Sequence, residues 1–559
     1  MTMKEKKVLI IGSGISGLCS AISLAERGVK SVLVSPFPSE RSQSVLAAGG
    51  INAVLYDTED SIESHIEDTL KGGCNIAGSK AVRGLCEDAP DIIAWLEKIG
   101  TVFTREENGE VARRAFGGQS HNRTCYCGAS TGKQIVSALV MEARRYESLG
   151  MIERLLWTDF HSALIKDGRC YGAILYNEAT LELEAVMADA VIIATGGQNA
   201  LFGKTTGSTQ CDGYTAGRLF MQGVELKNLE FVQYHPTTIQ TAQKNMLISE
   251  AARGEGGRLY YEENGKRVYF MEEKYGKKGN LMPRDIVSKC IYETGKPVFL
   301  DVTHLGRREI LARIPEVYDL CMKYRGIDIS KESIPVTPSV HFFMGGIAVK
   351  NNHETNITNL YAVGECAAIY HGANRLGGNS LLAAIHSGRI AARDISDQFT
   401  ESFKEDGSYD TNAIISLPDF SDVIKEENER LAALRSSESS FPVVYIRDMV
   451  SECMRENLGI ERCEERLENG ITDISFYLSV IDKIHYDNSE MTYFAYSLKG
   501  ILTLAKATLL CALNRKESRG AHIRSDYPDA SGEYSAATII SYDNGEYRVT
   551  LDSEEKYES

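Results

Sequence analysis

The tightest constraint on this chain is the run Val8-Leu9-Ile10-Ile11-Gly12-Ser13-Gly14-Ile15-Ser16-Gly17, an apolar, strand-like stretch that ends in three spaced glycines. It leads into Leu18-Cys19-Ser20-Ala21-Ile22-Ser23-Leu24-Ala25, which reads as a helix. In this order Gly12 permits the tight turn and Gly14 lets a pyrophosphate reach the backbone. Gly17 lets the helix pack on the strand, and the phosphates sit at the helix N-terminus. An isolated G-x-G-x-x-G says little. Flanked by a strand and a helix, it predicts an α/β dinucleotide-binding domain. The second strand, Ser31-Val32-Leu33-Val34, ends at Ser35, where NAD binding would ordinarily place an Asp or Glu for the ribose, so NAD is disfavoured.

Other segments point to flavin. The stretch from Arg41 to Ala53, with Ser42, Gln43, Ser44 and the paired Gly49 and Gly50, is small enough for backbone to lie against a flat ring. A late strand, Asn359-Leu360-Tyr361-Ala362-Val363-Gly364-Glu365, resembles the one that carries ribitol and ribose contacts in flavoproteins with two dinucleotide-binding segments. Ala190-Val191-Ile192-Ile193-Ala194-Thr195-Gly196-Gly197 resembles a turn of the same proteins. Three segments, two of them Gly-rich, then carry the chemistry: Ser249 to Gly257 with Glu250 and Arg253, Met282-Pro283-Arg284-Asp285, and His371 to Ser380 with Arg375. Three arginines and one glutamate suit a small dianion, because the guanidinium fork matches carboxylate oxygens.

Composition narrows the partners. At 559 residues the chain exceeds one ordinary hydrophobic core, so about two to four domains are expected. With 61 Lys plus Arg against 77 Asp plus Glu, the net charge is −16, which disfavours nucleic acid and anionic membrane and makes an anionic ligand depend on a local basic pocket. The 13 Cys show no C-x-x-C and no zinc or haem spacing, and the nearest pair, Cys125 and Cys127 across Tyr126, reads as packing. No metal site is expected. Electrons must therefore reach the chain from outside. Nothing ahead of Val8 resembles a secretory leader, which points to reduced thiols and a cytoplasmic location. No apolar run approaches a membrane span in length. Glu401 to Asn412 reads as a linker, and Ile424 to Met454 and Thr492 to Asn514 read as amphipathic helices.

Longer motifs follow in order: Phe116-Gly117-Gly118-Gln119-Ser120, Arg123-Thr124, Ser130-Thr131-Gly132, Glu230 to Thr237, Glu250 to Gly257, Pro283-Arg284-Asp285, His341-Phe342-Phe343-Met344-Gly345-Gly346 and Glu517-Ser518-Arg519-Gly520-Ala521-His522. On these, nearly the whole chain resembles the flavoprotein subunit of the succinate dehydrogenase and fumarate reductase family, which includes L-aspartate oxidase. The resemblance implies a Rossmann-like FAD-binding domain in two parts, residues 1–239 and 346–400. It also implies an inserted α+β capping domain, 240–345, and a helical C-terminal domain with a terminal tail, 413–559. FAD contacts fall on Gly12, Gly14, Gly17, Ser35, Ser42, Gln43, Ser44, Gly49, Gly50, Thr195, Gly196, Asp212, Glu365, Ser380 and Leu381. By the family pattern His341 and Arg375 hold one substrate carboxylate, His235 and Ser249 hold the other, and Ser249 replaces a Thr common in relatives. Arg284 becomes the proton donor, with Glu250 and Arg253 as its relay. An arginine is an unusual general acid, and on residue types alone Glu250, Arg253 and Arg284 read better as a structural ion-pair cluster. The resemblance makes the catalytic reading dominant. His65, His121, His161, His304 and His353 receive no role, while His371 shapes its Gly-rich loop and His522 supports a domain contact.

Two departures separate members of the family. The respiratory enzymes carry a flavin-linked histidine one residue after the equivalent of Ser42; here that residue is Gln43, so FAD is expected to be non-covalent. Losing that bond goes with a lower flavin potential, which favours reduction of fumarate over oxidation of succinate. L-Aspartate oxidase places a Glu where this chain has Phe116, and a phenyl ring offers a substrate ammonium no counter-charge. Fumarate reduction is therefore expected first, with L-aspartate oxidation or reduction of another 2-enoate as the alternative. An assembly subunit without activity would keep the glycines and lose the Arg and His set, and both are present. The expected partners are a fumarate or succinate-type dicarboxylate and an iron–sulfur subunit or small reductant, with a cytoplasmic location or a peripheral one on the inner face of the cell membrane through partner subunits.

Overall fold

The computed structural model describes residues 6–56, 59–128, 130–242, 244–401, 418–435, 441–481, 484–485 and 491–552. Its first core is a parallel sheet of five strands in the order Leu360–Ala362, Ala190–Ile193, Lys7–Ile11, Lys30–Ser35 and Ile152–Leu156. Strands buried on both faces read as continuous apolar runs, and Val8, Leu9 and Ile10 are all fully buried. Helix Ile15–Glu26 follows the first strand directly. The turn between them needs glycine: Gly12 has φ +109°, and a Cβ there would lie 2.3 Å from the Ala194 carbonyl oxygen. An antiparallel meander, Thr158–Lys166, Arg169–Asn177 and Glu182–Met187, completes this half.

Strand Val232–Gln240 leads out of that half into a six-stranded sheet that returns through Ile334–Phe343, to which it is paired antiparallel. This insert has its own core, from Ile239 and Ile248 through Val287 and Leu300 to Val336. Helix Arg284–Glu293 lies in the insert, and Pro283 stands at its N-cap. Proline suits a helix start because its missing N–H would have no partner there. Most of the substrate-side residues of the sequence, His235, Ser249, Arg284 and His341 among them, thus come from a unit with its own core, while Phe116 and Arg375 come from the dinucleotide-binding half.

The C-terminal region departs from expectation in three places. The stretch Ile424 to Met454 is two helices, Ser421–Arg435 and Val443–Asn457, the second starting just after Pro442. Most of the expected linker lies outside the described residues. Helix Thr492–Asn514 has the expected bounds but is not half-exposed, since Leu498, Leu502, Leu504, Ala505 and Leu509 have no exposure at all. It is also the one helix among the described residues long and apolar enough to cross a membrane, contrary to the reading that no run was, and 72% of its most apolar window is buried inside the fold. It packs against helices Tyr214–Met221 and Glu464–Val480 as a core element. Finally, the region ends in a hairpin, Thr538–Asp543 with Glu546–Leu551, whose first strand pairs with Leu226–Lys227.

A buried charge cluster fastens this region to the rest. The Arg515 guanidinium donates to Glu230 Oε1 at 2.6 Å and to Glu517 Oε1 at 2.9 Å, and all three side chains have zero exposure. His522 is held within the C-terminal region between Arg462 Nη1, at 2.8 Å, and the Arg515 carbonyl, at 3.0 Å, and its ring meets Phe231 of the dinucleotide-binding half edge to face at 6.3 Å, the domain contact expected of it. Removing one partner of such a pair leaves a buried charge unmatched. Arg515→Ala is therefore expected to lower stability by about 3–5 kcal/mol, measured by urea unfolding; a loss below about 1 kcal/mol, the worth of an exposed pair, would mean the cluster does not fasten the two regions.

Candidate active site

Every residue expected to contact FAD or substrate or to move the proton, except Gly17 and Arg253, lines one continuous cavity of about 480 Å³. The cavity runs from the Gly12–Gly14 turn, past Ser35 and Asp212 on one side and Gln43 and Gly50 on another, to Arg284 and Arg375 beneath the insert. Gly17 instead supports the turn from behind, its Cα packed on the Gly12 carbonyl. Along the cradle, Ser13 Oγ donates to Ser35 Oγ at 2.8 Å and Ile15 N to Ser44 Oγ at 3.3 Å. Asp212 accepts from Tyr214 N at 2.9 Å and from Tyr493 Oη at 3.0 Å. Glu365 accepts from Phe343 N at 3.1 Å, and burial raises its carboxyl to about 7. Ser42 Oγ and Gln43 Oε1 are buried polar atoms without a partner in the chain. A helix N-terminus, a close-approach glycine turn and unmatched polar groups along one channel fit FAD.

The charged end is built around Glu250, at the N-cap of the short helix Ala251–Gly254. Its Oε2 accepts from Arg284 Nε at 2.9 Å and Nη2 at 2.7 Å, and its Oε1 accepts from Gly117 N at 2.8 Å. Gly117 has no room for a side chain, since a Cβ would come within 2.6 Å of that carboxylate oxygen. Arg253 stands behind Glu250, with Nη2 3.4 Å from Oε1 and Nη1 donating to the Asn280 carbonyl at 2.6 Å. Burial alone would raise the Glu250 carboxyl, but the charges of Arg284 and Arg253, with the hydrogen bonds from Arg284 and Gly117, hold it down at about 2. Burial, reinforced by the charges of the site arginines, keeps His235 and His341 well below the ordinary imidazole range and so neutral. Their rings meet edge to face at 5.2 Å. Ser249 Oγ accepts from Ala251 N at 3.3 Å. Phe116 is buried, its ring held between Gly49 and Gly377.

Three further residues organise the site without having been singled out. Gln233 Oε1 accepts from Arg284 Nη1 at 3.1 Å and from Arg375 Nη2 at 3.0 Å. Its amide nitrogen donates to Asn374 Oδ1 at 2.7 Å and to the Arg375 carbonyl at 2.9 Å, which fixes its orientation. Thr206 Oγ1 lies 2.7 Å from His341 Nδ1 and holds that ring. Gly117 and Gln233 stand inside motifs already recognised. Thr206, by contrast, sits in a loop that carries no signal in the sequence.

A dinucleotide cradle opening onto a buried cluster of arginines, neutral histidines and one carboxylate defines an FAD-dependent oxidoreductase. Comparison with known proteins agrees. The family model described as FAD binding domain matches residues 7–381, and that described as fumarate reductase flavoprotein C-term matches residues 447–557. The chain is 35% identical to the succinate dehydrogenase flavoprotein subunit of Bacillus subtilis, covering 95% of this chain and 93% of the relative. It is 32% identical to the L-aspartate oxidase of Pseudomonas aeruginosa, over 94% and 96% of the two chains. Among solved structures it superposes on E. coli quinol fumarate reductase FrdA with a TM-score of 0.88 and 29% identity, covering 99% of this chain and 97% of that one. The chain belongs to the succinate dehydrogenase and fumarate reductase flavoprotein family.

The depressed Glu250 carboxyl makes a testable contribution. A carboxyl held at about 2 in the folded chain, against about 4.3 unfolded, adds about 3 kcal/mol above the unfolded value. That contribution is lost as pH falls from there through the folded value. Glu250→Gln is expected to unfold more easily than the unmodified chain at pH 7, in thermal scans, with the gap narrowing below about pH 4. A gap that is constant with pH would place the effect elsewhere.

Proposed function

We propose that this protein reduces fumarate to succinate on non-covalently held FAD, with electrons from an iron–sulfur subunit or a small reductant. The observation that carries this reading is charge. Arg253 and Arg284 pair with the carboxylate of Glu250, and Arg375 shares the Gln233 oxygen with Arg284, so three arginines meet one ion-paired carboxylate here; Glu365, also in the cavity lining, has its carboxyl raised by burial to about 7, and both facing histidines are neutral. Burying unmatched charge is unfavourable, and a dicarboxylate matches it. FAD bound in the cradle supplies a hydride from its flavin ring.

The remaining chemistry belongs to the chain. Arg375 and His341 grip one carboxylate, and His235 and Ser249 grip the other. Arg284, which lines the cavity, gives a proton to the carbon opposite the one reduced. Its basicity makes it a slow acid unless the lost proton returns at once. Glu250 contacts both Nε and Nη2 of Arg284 and is the group through which the proton returns. Arg253 stands behind to keep Glu250 ionised. Gln233 holds the two cavity arginines apart on one neutral acceptor and so fixes their spacing. An α-amino substrate is served worse, because the buried Phe116 ring occupies the wall where an ammonium would need an acid. Work in the cytoplasm, or on the inner face of the cell membrane through partner subunits, accords with this reading.

Purified protein assayed with fumarate and reduced viologen is expected to turn over, whereas L-aspartate with oxygen is not; the reverse result overturns the assignment. Arg284→Gln is expected to lose turnover by about 10²–10⁴-fold while still shifting the flavin spectrum on addition of malonate, and retained turnover would remove Arg284 as the proton donor. Acid precipitation is expected to leave FAD in the supernatant, because Gln43 cannot bond to it; a yellow pellet would reject non-covalent binding.

A further inference from the structure

The cavity wall carries a cation that the reaction above does not use. Lys244 lies just before the strand Asn245–Leu247 of the insert, and it lines the cavity together with Met246 and Leu247 and with Thr206 and Gln210 of the dinucleotide-binding half. It is half-buried, and among the described residues its ammonium forms no ion pair and no side-chain hydrogen bond. Burial pulls its ammonium down from the ordinary lysine range, with no neighbouring charge contributing. The hairpin that carries it is pinned close to the substrate-side histidines. Asn245 N donates to the Thr205 carbonyl at 3.1 Å, and Asn245 Nδ2 donates to the Lys204 carbonyl at 3.0 Å and to Ser339 Oγ at 2.8 Å. The next residue after Thr205 is Thr206, which holds His341.

From this placement we propose that Lys244 is the docking cation for incoming dianions, a gateway that captures one carboxylate at the cavity wall and passes it to His341 and Arg375. The chain as a whole carries a net charge of −16, so a dianion approaching at random is repelled. A lone, partly desolvated ammonium facing a low-dielectric channel focuses the field locally, and such focusing raises association rates by about 10- to 1,000-fold. Long stems of this kind reach along an apolar wall while presenting the charge, and Met246 and Leu247 provide that wall. The effect belongs to association rather than to the hydride or proton step. It is screened by salt, whose Debye length is about 10 Å at 0.1 M.

This inference rests on the dicarboxylate reading of the site, so its test uses binding of a non-reacting dianion rather than turnover. The FAD-loaded protein is mixed with malonate in a stopped-flow instrument, and the flavin absorbance shift gives the association rate constant at low and high ionic strength. Lys244→Gln is expected to slow association about tenfold at low salt, with the difference vanishing near 1 M salt. Lys244→Arg should restore most of the rate, and Lys244→Glu should slow it further. The thermal melting curve of each variant reports on folding. Equal rates and equal salt dependence for Lys244→Gln, Lys244→Glu and the unmodified chain overturn the gateway role and leave the dicarboxylate site standing. Absence of any malonate signal in the unmodified chain instead removes the dicarboxylate reading, and the gateway with it.

Discussion

The carboxylate of Glu250 is the interaction on which the charged end of this molecule depends. Two arginines and one backbone amide converge on it, all buried. Without it, Arg284 and Arg253 would face each other across a space too dry to screen them, and like charges at short range in a protein interior repel strongly. With it, the guanidinium of Arg284 is held by Nε and Nη2, leaving Nη1 to reach Gln233 and the cavity. That geometry explains the glycine at 117, whose missing side chain lets a backbone amide touch the same carboxylate. The position of each arginine thus follows from one acid placed at a helix start.

The second organising group is neutral. Gln233 offers one oxygen to Arg284 and Arg375 together, while its nitrogen is tied to Asn374 and to the Arg375 carbonyl. Arg284 comes from the insert and Arg375 from the returning half of the dinucleotide-binding region, so this amide spans the junction between the two packed units. A ligand that touches both arginines also touches both units. Binding there and docking of the insert are then linked, each favouring the other by the same free energy.

Much of this was legible in the chain because the fold depends on local signals of unusual strength. The strand, Gly12–Gly14–Gly17 and helix could be placed from neighbours alone, and the residues bracketing the cavity stood inside Gly-rich motifs. What escaped the sequence depended on contacts between distant segments. Thr206 is an ordinary loop threonine until the chain folds and brings it to His341. Helix Thr492–Asn514 has a pattern that passes for amphipathic, yet packing on several sides buries most of it. The break between Ser421–Arg435 and Val443–Asn457 was announced by Pro442, a local signal outweighed in the sequence by the apolar periodicity around it. The C-terminal hairpin was missed because strands this short gain their meaning only from the partner strand at Leu226–Lys227.

That hairpin, and Arg515 before it, have an implication for how the molecule is made. Glu230 leaves the ribosome 285 residues before Arg515, and the short strand at Leu226–Lys227 likewise long before its partner at Ile539 and Ile540. For that interval the nascent chain carries a carboxylate destined for the interior but lacking its guanidinium, and an open sheet edge lacking its neighbour. Unpaired edges invite association with other chains. The dinucleotide-binding half therefore completes its folding only after the segment from Arg515 to Asp543 has been made.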